Sequence, residues 1–209
     1  MARILITSGP TREYLDPVRY LTNASSGRMG CSLAQAALDR GHQVVIVSGP
    51  VSIDYPAGIE VHSVITTEEM LEACRRVFPA CDGLIGVAAP CDYRSRQVAT
   101  DKIHKTGQPL VLELIETPDI VATLASEKRP GQWIVGFALE TEDAHFRAVT
   151  KLQKKKCDLV VLNGPQAMHA RETQVEIINP AGEVVANLTG MKEEVSQGIV
   201  AVIAERLMG

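Results

Sequence analysis

Residues Ser8 to Gly30 read SGPTREYLDPVRYLTNASSGRMG. The stretch follows a short apolar run, Arg3-Ile4-Leu5-Ile6-Thr7, with the length and composition of a buried β-strand. It precedes Cys31 to Arg40, whose small and apolar residues predict a helix. The first strand therefore does not turn tightly into its helix; a long polar loop separates them. Structureless loops of that length inside a compact domain tend to be functional. Ser25 and Ser26 suit a helix start, because a serine side chain accepts from free backbone N–H groups. Gly27 allows close approach to the backbone, and the free N–H groups of a helix start bind phosphate. A capped surface loop carrying arginines is the plainer reading of the same residues.

Outward from this loop, strands and helices alternate. Gln43 to Ser48, Ile59 to Val64, Gly83 to Ala89, Leu110 to Ile115, Trp133 to Leu139 and Asp158 to Asn163 read as strands, several of them continuously apolar. Helices are predicted from Thr66 or Thr67 to about Phe78, from Thr117 to about Glu127, and from Glu142 to Lys155. Thr117-Pro118-Asp119 reads as N-cap, first-turn proline and first-turn acid. Cys91 to Pro109 is basic and aperiodic and reads as a second long loop. The style then changes: Gln174–Ile178 and Val184–Leu188 flank Asn179-Pro180-Ala181-Gly182, a hairpin signal, and an amphipathic helix closes the chain from Met191 to Leu207. Continuous apolar strands alternating with helices imply a mainly parallel sheet with helices on both faces. Ligands of such sheets sit beyond the carboxyl ends of the strands. Here the loops at those ends are Ser8–Ala24, Ala89–Pro109, Glu116–Asp119, Leu139–Glu142 and Asn163 onward, and they hold most of the unusual residues.

Size and composition narrow the function classes. A chain of 209 residues, 45% hydrophobic and 22% charged, fits one globular domain, 1–209. A net charge of -4 gives no reason to expect a nucleic-acid partner. Basic residues are dense only locally, at Arg12, Arg19 and Arg28, from Arg94 to Lys105, and from Lys151 to Lys156. That distribution suits a small anionic substrate. No apolar run is long enough to span a bilayer, and the start of the chain passes directly into a strand, so neither a membrane segment nor a signal peptide is expected. The five cysteines are scattered without CxxC spacing, which reads as reduced thiols in a cytoplasmic protein. The five histidines form no cluster, and metal ligands remain unknown at this level.

Together these loops resemble the phosphopantothenoylcysteine synthetase (phosphopantothenate–cysteine ligase, CoaB) family. The matching runs are T-R-E-x-x-D-P-V-R-Y-x-T-N-x-S-S-G-x-M-G from Thr11 to Gly30, A-A-x-x-D-Y-R from Ala88 to Arg94, K-I-x-K from Lys102 to Lys105, T-P-D-I-V from Thr117 to Val121, and V-G-F-A-x-E-T from Val135 to Thr141. Asp158 and Asn163 after a lysine-rich helix also match. The chain departs from the pattern at Pro90, Cys91, His104 and Leu139.

The resemblance implies a Rossmann-like three-layer α/β fold, with a flap loop at about 90–109 and a C-terminal β-hairpin at about 172–189 followed by a helix. It implies two steps in coenzyme A biosynthesis. CTP activates the carboxylate of 4′-phosphopantothenate as an acyl-cytidylate, with ATP as the other candidate; cysteine then displaces the nucleotide monophosphate. Mg²⁺ and a homodimer are expected by the same token, with any decarboxylase partner on a separate chain.

By resemblance, Asn23 and Lys102 are catalytic. The Asn23 amide is no base but can donate to the carbonyl oxygen of the acyl-nucleotidylate; without the family it reads sooner as a loop or cap residue. Lys102 would close over the triphosphate or else be a solvated flap lysine. Gly86, Val87, Ala88, Asp92, Pro118, Asp119, Ile120, Val121, Phe137, Lys151 and Lys155 are expected around the nucleotide. Phe137 reads as core, and Lys151 and Lys155 as a solvated helix face, if the family is set aside. Arg19, Ser25, Ser26 and Gly27 join Asn23 as substrate-binding residues, although Arg19 equally suits a pair with Asp16. Two rival readings stand beside the ligase: a non-catalytic nucleotide-binding homologue, and an NAD(P)-dependent reductase. The second lacks the G-x-G-x-x-G that it needs after the first strand.

Overall fold

The computed structural model describes residues 1–139, 144–163 and 172–209. Its centre is β1 (Arg3–Ser8), in which Ile4 and Ile6 point to one face and Leu5 to the other, all fully buried. This period-two division continues outward and gives the sheet two apolar faces. β4 (Gln43–Ser48) and β5 (Glu60–Ser63) lie on one side of β1, and β6 (Gly83–Gly86), β9 (Trp133–Leu139) and β10 (Leu159–Asn163) on the other. All six run parallel. β11 (Glu172–Ile178) and β12 (Val184–Met191) extend the sheet antiparallel, as the hairpin signal predicts. The order β12-β11-β10-β9-β6-β1-β4-β5 places the switch point between β1 and β6.

Helix α1 (Arg28–Asp39) and α5 (Lys192–Leu207) cover one face, where Leu33, Ile199 and Ile203 meet Ile4, Ile6, Ile85 and Val135. α2 (Thr67–Val77), α3 (Ile120–Glu127) and α4 (Ala144–Lys155) cover the other, where Met70, Leu124 and Leu152 meet Leu5, Leu84 and Ile134. Thr66 begins α2 with a full capping box: its hydroxyl accepts from Glu69 N at 3.1 Å while the Glu69 carboxylate accepts from Thr66 N at 3.3 Å.

Several expectations need correction. The first loop is not irregular throughout; it contains a hairpin, β2 (Arg12–Asp16) and β3 (Arg19–Thr22). Its inward residues are Glu13 and Asp16, so a buried strand looked polar. The second long loop contains β7 (Tyr93–Ser95), which pairs with β8 (Leu114–Glu116). The strand expected at Leu110–Ile115 is thus shorter and belongs to this small sheet, not the main one. β6 ends at Gly86 instead of Ala89, leaving residues 87–89 as a tail that an isolated bridge from Ala89 to Pro10 holds beside the chain just beyond β1.

Candidate active site

The tail after β6 organises the candidate site, because an extended chain sends alternate residues to opposite sides. Gly86, Ala88 and Pro90 face a cleft of about 420 Å³, within the range of small-molecule pockets. Val87 and Ala89 face a second cleft of about 170 Å³ on the other side. The tail is a ridge between them.

The first cleft is lined by the sequence-predicted Gly86, Ala88, Asp92, Pro118, Asp119, Ile120, Val121, Phe137 and Lys155. Its depth depends on Gly86: a Cβ there would stand 2.7 Å from Val121 Cγ2, so α3 can start against the strand end only because the side chain is missing. α3 is capped by Asp119, whose Oδ1 accepts from Ala122 N at 3.0 Å, and not by Thr117 as the sequence suggests. Thr117 instead donates to Cys91 O at 2.5 Å, tying the start of α3 to the ridge. Asp119 Oδ2 pairs with Lys155 Nζ at 3.0 Å, which draws the lysine across the mouth of the cleft. Lys154 also lines it and was missed, since only the spacing of Lys151 and Lys155 singled out that helix face. The side chain of Lys151 lies outside the described residues.

The second cleft is lined by Ser25, Ser26, Gly27, Arg28, Asn163 and Lys192, with Val87 and Ala89 as its floor. Among the described residues, no carboxylate lines it. The serines do not cap α1. Gly27 is the N-cap, in the left-handed region at φ 76, without a side-chain cap. Its carbonyl accepts from Ser8 Oγ at 3.2 Å, so α1 is pinned to the end of β1 and its free N–H groups are left for a ligand. Asn163 Oδ1 is buried with no hydrogen-bond partner among the described residues. A buried orphan acceptor on a cleft wall is a group awaiting a donor. Lys192 is a further residue the sequence reading missed. A cation in the first turn of a helix opposes the dipole, and that anomaly at the start of α5 was the available signal.

Asn23 stands on the ridge. Its Nδ2 donates to Pro90 O at 2.8 Å and to Ala89 O at 3.3 Å, one residue facing each cleft. The amide orientation follows from the partners, since a carbonyl can only accept. Three other expectations come out differently. Val87 faces the second cleft, not the first, because it alternates with Gly86 and Ala88. Arg19 lines neither cleft; it pairs with Asp16 at 2.7 Å. Lys102 is exposed, lines neither cleft, and has no hydrogen bond or ion pair among the described residues. Cys91 is buried, and burial pushes its thiol up.

A family model described as the DNA/pantothenate metabolism flavoprotein C-terminal domain matches residues 1–207. The chain belongs to that family. It is 39% identical over 210 residues to the coenzyme A biosynthesis bifunctional protein CoaBC of Vibrio parahaemolyticus, covering 97% of this chain and 52% of that protein. It is 44% identical over 165 residues to CoaBC of Bacillus subtilis, covering 78% and 40%. The chain thus spans about half the length of the curated relatives it matches. Among solved structures, the C-terminal domain of a CoaBC superposes with TM-score 0.85 at 36% identity, covering 99% of this chain and 95% of that one. A Cab2 H337A variant in complex with phosphopantothenate-cysteine shares the fold, with TM-score 0.81 at 18% identity over 99% and 86% of the two chains. The family match covers the ridge, both clefts and the flap, so every site residue above lies within it. Among the described residues no group of three His, Cys, Asp or Glu is placed to hold a metal, and no helix is long and apolar enough to cross a membrane.

Proposed function

We propose that this chain joins 4′-phosphopantothenate to cysteine, with CTP as the activating nucleotide. The observation that carries the reading is Asn23 on a ridge between a cleft of mixed charge and a cleft whose charged lining, among the described residues, is Arg28 and Lys192. The CoaBC relatives are named for coenzyme A biosynthesis, and the ligand of the Cab2 complex is the product this reaction would yield.

The nucleotide belongs in the first cleft. Lys154 and Lys155 meet its phosphates, the start of α3 offers N–H groups, and Phe137 packs on the base. The substrate phosphate belongs in the second cleft, between Arg28, Lys192 and the open start of α1. The carboxylate then lies over the ridge. Its oxygen attacks the α-phosphorus; the new P–O bond forms as pyrophosphate leaves. The cysteine amine next attacks the acyl carbon, the C–N bond forms, and the C–O bond to CMP breaks. Asn23 Nδ2 keeps its shorter bond to Pro90 O and exchanges the longer one, to Ala89 O, for the oxygen that gains charge in that attack, an interaction of about 2.7–4 kcal/mol. Mg²⁺, if used, would be held mainly by the nucleotide phosphates, whose negative charge it would offset.

Lys102 lies outside both clefts of its own chain. In a homodimer it can be delivered by the flap of one copy to the nucleotide of the other. The apolar residues Val18, Tyr20, Tyr93 and Leu114, exposed on the two small hairpins, suit such a contact. Free cysteines throughout the described residues suit a reducing compartment such as the cytoplasm.

The test is pyrophosphate release with each of the four nucleoside triphosphates, with and without phosphopantothenate. Release requiring both CTP and phosphopantothenate is expected. Nucleotide binding without release would favour the non-catalytic homologue and refute the ligase reading.

A further inference from the structure

Asp16 is fully buried, yet it sits in neither cleft. Its Oδ1 accepts from Val18 N at 2.9 Å and Arg19 N at 2.8 Å, closing the turn of the β2–β3 hairpin. Its Oδ2 accepts from Arg19 Nε at 2.9 Å and, across 87 residues of sequence, from Ile103 N at 3.0 Å. Arg19 Nη2 donates in turn to Ile103 O. Both backbone groups of one flap residue are therefore held, the amide by Asp16 and the carbonyl by Arg19. A second tether lies just before it, where Ala99 N donates to Leu15 O at 2.9 Å. Burial alone would raise the Asp16 carboxyl, but the N–H groups of Ile103, Val18 and Arg19 and the Arg19 side chain outweigh it and hold the group at about 2. The residue held is the one immediately after Lys102. Past it, residues 104–110 are all exposed.

We propose that Asp16, acting with Arg19, is a positioning residue for Lys102: the pair clamps the flap backbone at Ile103, so that the lysine projects from a fixed root while the tip beyond is unrestrained. This rests on the reading of Lys102 as the flap cation of the first half-reaction. A hairpin that only stabilised the fold would have no reason to engage both backbone groups of a residue so far away in sequence. The clamp also accounts for Arg19, which the sequence offered as a phosphate ligand and the structure ties to Asp16 and the flap.

The clamp is tested on the bond it protects. Trypsin cleaves after Lys102, across the peptide whose N–H Asp16 holds, and after Lys105, beyond the clamp. In Asp16→Asn, cleavage after Lys102 relative to Lys105 rises about ten- to a hundred-fold, the loss expected for a hydrogen bond to a charged group. An unchanged ratio overturns the clamp. The positioning role is tested by a double-mutant cycle on pyrophosphate release. Asp16→Asn slows release in the wild-type background, adds nothing in the Lys102→Gln background, and leaves amide formation from supplied acyl-nucleotidylate unchanged. Equal losses in both backgrounds overturn the role. Should Asp16→Asn fail to fold, amide exchange in the unaltered protein decides: Ile103 N–H is expected to exchange about ten-fold or more slowly than the amides of residues 104–108, and equal rates overturn the clamp. A wild-type chain that released no pyrophosphate would refute the ligase reading but not the clamp, which the cleavage ratio and exchange decide independently.

Discussion

Gly30→Ala is the substitution whose effect can be worked most directly from the coordinates. A Cβ on Gly30 would lie 2.3 Å from Ser8 Oγ and 2.7 Å from Ser8 Cβ. Ordinary van der Waals contact begins at 3.4 Å, so the start of α1 and the end of β1 must part by about 1.1 Å. Ser8 cannot simply rotate away, being fully buried with its hydroxyl on Gly27 O. Overpacking of this kind costs about 1–3 kcal/mol and the strained hydrogen bond about 1 kcal/mol; the better helix propensity of alanine returns about 1 kcal/mol. The net loss is about 1–3 kcal/mol, or a fall in Tm of about 2–12 °C for a chain of this size. The functional loss should be larger, because residues 27–30 line the second cleft, and a misplacement of about 1 Å can cost about a hundred-fold in rate.

Thermal unfolding and steady-state kinetics in phosphopantothenate separate the two effects. Gly41→Ala is the control: it forces a residue with a side chain to φ +77 far from both clefts, with nothing nearby to collide with. It should cost about 1–2 kcal/mol and leave kcat/KM unchanged. Ser8→Gly, which removes both colliding atoms, should partly restore the kinetics of Gly30→Ala. If Gly30→Ala matched the wild type in Tm and kcat/KM, the close packing of α1 on β1 would not be what shapes the cleft.

Four further outcomes follow. Asn23→Asp should lower amide formation about 10²- to 10³-fold while pyrophosphate release continues and acyl-nucleotidylate accumulates; turnover at the wild-type rate would show that the amide donor is not used. Lys102→Gln should stop formation of the intermediate itself, and normal pyrophosphate release by that variant would contradict its role. Thr66→Ala breaks the capping box and should lower stability by about 1 kcal/mol in urea unfolding, with kinetics unaltered because α2 begins outside both clefts. The Asp16 carboxyl is held at about 2 in the fold against 3.8 as the ordinary value, so its stabilisation is fully present above about pH 4 and lost as pH falls towards 2. Asp16→Asn should therefore show a shallower acid transition by circular dichroism between pH 5 and 2, and identical slopes would remove Asp16 as a source of acid lability.

The parallel sheet was legible because β1, β4, β9 and β10 are continuously apolar, as strands covered on both faces must be. The β2–β3 hairpin was not, because Glu13 and Asp16 are the residues it buries. Glu13 accepts from Thr67 N at 2.8 Å and Asp16 from the flap, and a register shift between Tyr14 and Asp16 breaks the period of two, so the strand shows neither apolar residues nor regular alternation. β7 and β8 were missed for a related reason: three residues give a period of two too few repeats to stand out in a sequence. In the site, the glycines, serines and Asn23 could be named from one contiguous motif. Lys154, Arg28 and Lys192 could not be assigned together, since only the packing of α1 against α5, and of α4 beside β9, decides which lysines and arginines face a cleft.

The ridge would let the two anions of the proposed reaction be handled on one strand end without competing. A strand ending at the switch point offers its terminal residues to both faces of the sheet, one by one in turn. Gly86 and Ala88 have almost no side chain to present to the first cleft, so its walls come from α3 and from Phe137 and Lys155. Val87 and Ala89 give the second cleft an apolar floor, Val87 packing against the core beneath, and its walls come from residues 24–30, Lys192 and Asn163. Pro90, which has no N–H to donate, follows directly, and its carbonyl is the shorter of the two contacts to Asn23. A valine at that position would return an amide to the ridge beside the donor that the proposed chemistry uses. Pro90→Val is therefore expected to change the second half-reaction more than the first. An effect confined to pyrophosphate release would show that this end of the ridge serves the first cleft alone.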